Sequence, residues 1–167
     1  LPETERKPAL EAGIAAARTA MALNANRPEG HFWLAANMGA LAESFGLRQG
    51  IKYRGQIKDA LLTTLKLDPG FLQGSADRAL GRWYFKVPGL FGGSNRQSET
   101  HLRKALTYNP GSVISHIFLA DTLADMGRKE EARKEYQAAL DAPFDPDWTP
   151  EDRRFKETAK RALRDLR

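Results

Sequence analysis

One pattern constrains this chain more than any other: three stretches begin alike and recur at a fixed spacing. They are Asn26-Arg27-Pro28-Glu29-Gly30, Leu67-Asp68-Pro69-Gly70 and Tyr108-Asn109-Pro110-Gly111, and both steps, Pro28 to Pro69 and Pro69 to Pro110, are 41 residues. Self-similarity at such a period means a stack of like units, none of which can bury its apolar face alone. A proline after Asp or Asn ends one helix and turns the chain before the next. Alanine and leucine dominate the apolar residues while Val and Ile are few, a balance that favours helix over strand.

Each unit reads as two helices. In the third, Ile114, Ile117, Leu119, Ala120, Leu123 and Ala124 have helical spacing over 112–126. Gly127 breaks that helix, and a second over 129–141 carries Ala132, Tyr136, Ala139 and Leu140 on one face. Small residues stand where helices must approach, and Tyr136 fills the gap. Ala120, Gly127, Ala132, Tyr136, Ala139 and Pro143 resemble, in order, the tetratricopeptide repeat, with His116 where that family has a Trp.

The first unit predicts helices over 30–45 and 56–67, and the second over 71–86 and 97–108, each with a long turn between them at 46–55 and 87–95. An Ala-rich helix over 9–24 leads, and a helix over 150–166, capped by Thr149-Pro150-Glu151-Asp152, closes the stack with Phe155, Ala159, Ala162, Leu163 and Leu166 inward and charges outward. Trp33, His31 and His116 read as residues that pack between helices. The expected fold is all-α, a tetratricopeptide-like α-solenoid of about eight helices, with residues 1–167 as one domain and units near 28–68, 69–109 and 110–146.

The net charge of +5 is uneven: residues 47–110 carry 11 basic and 4 acidic side chains, and the flanking segments are each at −1. That hints at an anionic partner in the middle third. In a solenoid, insertions at equivalent positions emerge on one side, so the two long turns are expected side by side. Together they would form a basic, partly aromatic rim: Arg48, Lys52, Tyr53 and Arg54 from the first, and Phe91 with Gly92-Gly93 from the second, flanked by Lys86 and Arg96. Arg82, Trp83 and Tyr84 lead into the second turn. Trp83 and Tyr84 admit two readings, core and groove.

Catalysis has little to stand on. The three histidines lie in separate units without metal-ligand spacing. Ser94 lacks a Gly-x-Ser-x-Gly elbow, and Gly92-Gly93 lacks the Gly-Lys-Ser/Thr of a phosphate loop. The absence of cysteine excludes disulfides and thiolate chemistry. No catalytic residue, metal or cofactor is expected. Basic residues near Tyr53, Trp83, Tyr84 and Phe91 raise nucleic acid as a competitor, but no nucleic-acid motif is present and acids are interspersed.

Leu80-Gly81-Arg82-Trp83-Tyr84-Phe85-Lys86-Val87-Pro88-Gly89-Leu90-Phe91-Gly92-Gly93-Ser94 carries a further resemblance, with Glu29-Gly30-His31-Phe32-Trp33-Leu34-Ala35-Ala36-Asn37-Met38-Gly39 and Phe118-Leu119-Ala120-Asp121. Together they resemble the T component of bacterial TRAP-type solute transporters, and the Gly-Arg-Trp-Tyr stretch is similar to regulators of microtubule dynamics. The resemblance implies a non-catalytic periplasmic or cell-envelope accessory. Its partners would be a solute-binding protein or transporter, with a small organic anion as possible ligand and no nucleic acid; homo-oligomerisation stays open. Members often carry a lipid on an N-terminal Cys, which is absent here. Leu1–Pro8 is polar and does not begin with Met, so the expectation is a mature or trimmed form from which the targeting segment is absent. The alternative is a general tetratricopeptide scaffold for protein partners.

Overall fold

The computed structural model describes residues 2–166, leaving out the side chains of Glu3, Leu47, Arg48 and Gln49. Eight α-helices follow one another: α1 Glu3–Leu23, α2 Pro28–Phe45, α3 Leu47–Leu67, α4 Phe71–Lys86, α5 Asn95–Tyr108, α6 Val113–Asp125, α7 Lys129–Asp141 and α8 Thr149–Asp165, with a 3₁₀ turn at Gly89–Phe91. No strand occurs among the described residues. Among the described residues no helix is long and apolar enough to cross a membrane.

The joints between units repeat in detail. Asn24, Asp68 and Asn109 each end a helix with a strongly negative φ, −156°, −151° and −136°. Each returns its own N–H to the carbonyl four residues back, on Ala20, Thr64 and Ala105. Each side-chain oxygen then accepts the N–H two residues on, from Asn26, Gly70 and Gly111, at 3.0, 3.0 and 3.2 Å. These are Asx turns, in which a short polar side chain stands in for the backbone. They correct the sequence register: the equivalent of Asp68 and Asn109 is Asn24, while Pro28 opens α2 at its first turn, where a missing N–H costs nothing.

The chain packs as two compact units, Leu1–Ala79 and Leu80–Arg167, divided within α4. In the first, α1 packs on α2 and α2 on α3, burying Ile14, Ala17, Phe32, Leu34, Met38, Leu41, Ile57 and Leu61. Phe32 meets Phe71 edge to face, with ring centres 5.3 Å apart. At the start of α4, Leu72, Gln73 and Gly74 hold φ of 45°, 56° and 79°, so a left-handed turn precedes the regular helix. That conformation is costly for residues bearing a Cβ.

In the second unit Leu102, Val113, Ile117, Leu119, Ala120, Leu123, Ala132, Tyr136, Ala139 and Ala159 form the core, closed by Phe155, Ala162, Leu163 and Leu166. The small residues expected at the α6–α7 contact, Ala120 and Ala132, are fully buried. Gly127, at φ 76°, ends α6 in a Schellman turn: Arg128 N–H reaches Leu123 O at 2.9 Å and Gly127 N–H reaches Ala124 O at 2.9 Å. Arg128 then bonds Glu131 through Nε and Nη2 at 2.7 and 2.6 Å and Glu99 through Nη1 at 2.6 Å, tying α5 to α7. Lys156 of α8 caps the last carbonyls of α7, donating to Leu140 O at 2.9 Å and also to Ala142 O. Arg153, Arg154, Glu157, Lys160 and Arg161 leave the outer face of α8 charged and exposed, as expected of a closing helix.

Two sequence expectations fail here. Residues 47–55 are not a turn but the first turns of α3; only Gly46, at φ 90°, separates it from α2. Trp33 is not buried between helices. It is 47% exposed and meets Phe32 edge to face at 5.3 Å. His31 and His116 do serve packing. Each is the fourth residue of its helix, and each turns Nε2 to the carbonyl six residues earlier: Ala25 O at 2.9 Å and Pro110 O at 2.8 Å.

Candidate functional site

The rim predicted from two equivalent loops loses its first half, because 47–55 is helical. Lys52 and Tyr53 lie on α3, with Lys52 Nζ 5.0 Å from the Tyr53 ring centre. Arg54 is turned back on its own helix, donating to Ile51 O at 2.5 Å. The Arg48 side chain lies outside the described residues. The first unit does hold an open groove of about 330 Å³ between α1 and α2. Its walls are Gly13, Ala16, Ala17 and Ala20 on one side and Gly30, Trp33 and Asn37 on the other.

The other four predicted residues fall together in the second unit, around the turn after α4. Val87 N–H reaches Trp83 O at 3.0 Å, Ser94 N–H reaches Tyr84 O at 2.9 Å, and Phe91 and Gly93 N–H both reach Pro88 O, at 2.8 and 3.2 Å. The turn is thereby fastened to the end of its own helix. At Gly93 a Cβ would run straight into Val87 O, so the chain can close there only without a side chain. The side chain of Ser94 then caps α5 by accepting the N–H of Gln97 at 3.3 Å.

Trp83 lies beneath this turn and is 7% exposed, which settles it as core. Tyr84 is half-buried and stacks on His101, with planes 10° apart and centres at 5.4 Å. Phe91 and Leu90 lie at the tip, 38% and 90% exposed. Lys86 and Arg96, on either shoulder, are both exposed.

Arg82 belongs to a cluster that the sequence does not announce. Its guanidinium carbon stands 4.3 Å from the Phe118 ring centre and 5.8 Å from that of Phe85. Nη1 reaches Asp121 Oδ2 at 3.3 Å, and the other Asp121 oxygen accepts the Tyr136 hydroxyl at 2.6 Å. Burial and then the bond to Asp121 push the Tyr136 phenol above its ordinary range, so it stays a donor. The arrangement places a cation and an anion side by side on α4 and α6, backed by two aromatic rings and partly open to solvent. A guanidinium can grip a carboxylate with two N–H groups. Here an anion would have to compete with Asp121 for it. A partner carrying both charges, or a polar protein surface, fits the pair better than a lone carboxylate. Among the described residues no group of His, Asp and Glu is placed to hold a metal ion.

Against known proteins, the TRAP transporter T-component family matches residues 15–167. The chain belongs to that family. In this T component the match takes in Arg82, Phe118, Asp121 and Tyr136 as well as the turn after α4. No curated protein sequence matches it. Its fold resembles that of a thermophilic TPR protein from Thermus thermophilus, with a TM-score of 0.70 at 22% identity, covering 93% of this chain and 74% of that one. Two crystal structures of MamA are also similar, with TM-scores of 0.65 and 0.62 at 15% and 14% identity. Each covers 98% of the T component, and 85% and 84% of the MamA chain respectively. These likenesses are to the tetratricopeptide-like, all-α repeat fold. The family ties the chain to TRAP transporters as an accessory component.

Proposed function

We propose that this T component is a non-catalytic binding accessory that works outside the cytoplasm and engages a protein of the TRAP system, the solute-binding protein or the transporter, through the α4–α6 face of its second unit. The observation that carries the reading is the Arg82–Asp121–Tyr136 cluster against Phe118 and Phe85, next to the fastened turn at 87–94. A polar pair flanked by aromatic anchors is the composition that protein interfaces favour. A free organic anion is the weaker candidate for this face, because Asp121 already occupies the guanidinium edge.

The test is binding of the cognate solute-binding protein to the immobilised T component, measured for wild type, Arg82→Ala and Phe118→Ala at low and moderate salt. Loss of about tenfold or more in both variants, with circular dichroism unchanged, supports the reading. Wild-type binding in both refutes this face as the contact.

One observation favours the second reading, a general protein scaffold. The positions Ile57, Leu61 and Thr64 of α3, Ser98, Leu102 and Ala105 of α5, and Ala132, Tyr136 and Ala139 of α7 share one spacing and are all buried. The same spacing in α1 gives Gly13, Ala17 and Ala20, which line the open groove although Ala17 is already buried against α2. That groove has the character of a seat for a helix.

A further inference from the structure

We propose that the turn at 87–94 is a membrane-contact tip, which inserts Leu90 and Phe91 into the headgroup boundary of an anionic bilayer while Lys86 and Arg96 sit on the lipid phosphates. This does not rest on the reading of the α4–α6 face given above. Four features converge on it.

Leu90, 90% exposed, is the most exposed large apolar side chain among the described residues, and Phe91 beside it is 38% exposed. From Val87 to Asn95 there is no charged residue, and the first charge on each side is basic. Over 80–110 the chain carries five basic residues, Arg82, Lys86, Arg96, Arg103 and Lys104, against one acid, Glu99. The acid at the foot of the turn, Asp125, is engaged by Asn95 Nδ2 at 2.6 Å.

Most of the turn's backbone donors fit the same use. A chain segment entering a poorly hydrated layer must satisfy its own polar groups. Within the turn the N–H groups of Val87, Phe91, Gly92, Gly93 and Ser94 are all bonded internally. The tip can lose water without stranding these donors.

Its size decides between a bilayer and a protein cleft. Apart from Leu90 and Phe91 the tip is the half-buried Val87 with Pro, Gly and Ser, and by itself it falls far short of the roughly 800 Å² per partner of a standard protein interface. Shallow insertion asks for no matching shape. Two large apolar side chains and two cations give weak, reversible binding that depends on anionic lipid and on salt.

The chain has no cysteine, so one introduced thiol reports on one place. Leu90→Cys is labelled with an environment-sensitive nitrobenzoxadiazole dye, and Thr158→Cys on α8 serves as the reference. Each is mixed with phosphatidylcholine vesicles, with and without about a third phosphatidylglycerol. The expected result is a blue shift and quenching by doxyl lipid at position 90, only on the anionic vesicles, with no change at position 158. Partition of unlabelled protein is followed by flotation. It should fall about tenfold or more in Leu90→Asp, a loss of about 1.4 kcal/mol, and should fall in Lys86→Glu and as salt rises. The proposal is overturned by an unshifted dye at position 90 on vesicles at saturating lipid. It is overturned equally by Leu90→Asp binding as tightly as wild type, since the attraction would then be charge alone. In the first case the tip is left to a protein cleft.

Discussion

Removing the imidazole of His116 should destabilise the second unit at acidic pH and much less at alkaline pH. Nδ1 of His116 faces Glu135 Oε2 at 2.7 Å and Nε2 faces Pro110 O at 2.8 Å. Both partners are acceptors only, so both ring nitrogens must donate, and only the imidazolium can do that. Burial works against the charge. The bonds to Glu135 and to the Pro110 carbonyl, with the charge of Glu135, outweigh it, and the folded pKa lies above the ordinary value of 6.5. A group raised on folding contributes stability that is complete below its unfolded pKa and is lost as pH climbs through its folded pKa. On deprotonation one of the two bonds must go, and a bond to a charged group is worth about 1.5–3 kcal/mol.

His116→Gln is the perturbation, because an amide of similar reach can keep at most part of the pair. Urea unfolding of wild type and variant is compared between a pH below the unfolded-state value, about 6.5, and alkaline pH. The stability gap should be about 2 kcal/mol at the acidic end and should shrink as pH rises. Glu135→Gln should lower the His116 pKa read by proton NMR. A gap independent of pH, or a His116 pKa at or below that of an unfolded histidine, would refute the reasoning.

Four further outcomes follow from the packing. Ala132→Leu overfills the α6–α7 contact and should cost about 1–3 kcal/mol, seen as a lower urea midpoint. Tyr136→Phe removes one bond to Asp121 and should cost about 1–2 kcal/mol by the same measurement, with Arg82 still paired. Gly93→Ala cannot close the turn at Val87, so amide exchange should rise across 87–94 while α6 and α7 stay protected. Gln73→Gly, which relieves a left-handed residue, should leave thermal stability equal or raise it by up to about 1 kcal/mol.

The repeat was legible because it rests on local chemistry. Asp68-Pro69-Gly70, Asn109-Pro110-Gly111 and Gly127 each act within a few residues of themselves, and α7 and the closing face of α8 follow from periodicity alone. What escaped depends on distant partners. Gly46, Gly50 and Gly55 looked like a loop, yet packing of α3 on α2 carries the helix through the last two, overriding their poor propensity. Asn24 was passed over for Pro28 because the Asx bond is invisible without geometry. The left-handed start of α4 has no local signature. Asp121 stood in view inside an apolar helix, but its meaning needs Arg82 and Tyr136, which lie 39 and 15 residues away. Trp83 could be assigned to the core only once the turn above it was placed.

The recurrence of one joint has a further consequence for how such a chain changes length. Because Asp68-Pro69-Gly70 and Asn109-Pro110-Gly111 close the same turn with the same bond, a cut after Asp68 can be rejoined at Pro110 and the splice reads Asp-Pro-Gly as before. A crossover between the two copies of the joint therefore deletes or duplicates a 41-residue cassette without creating a novel sequence at the seam. That cassette holds the whole turn after α4, so the turn, held shut by a glycine that tolerates no side chain, would be lost or copied as one piece.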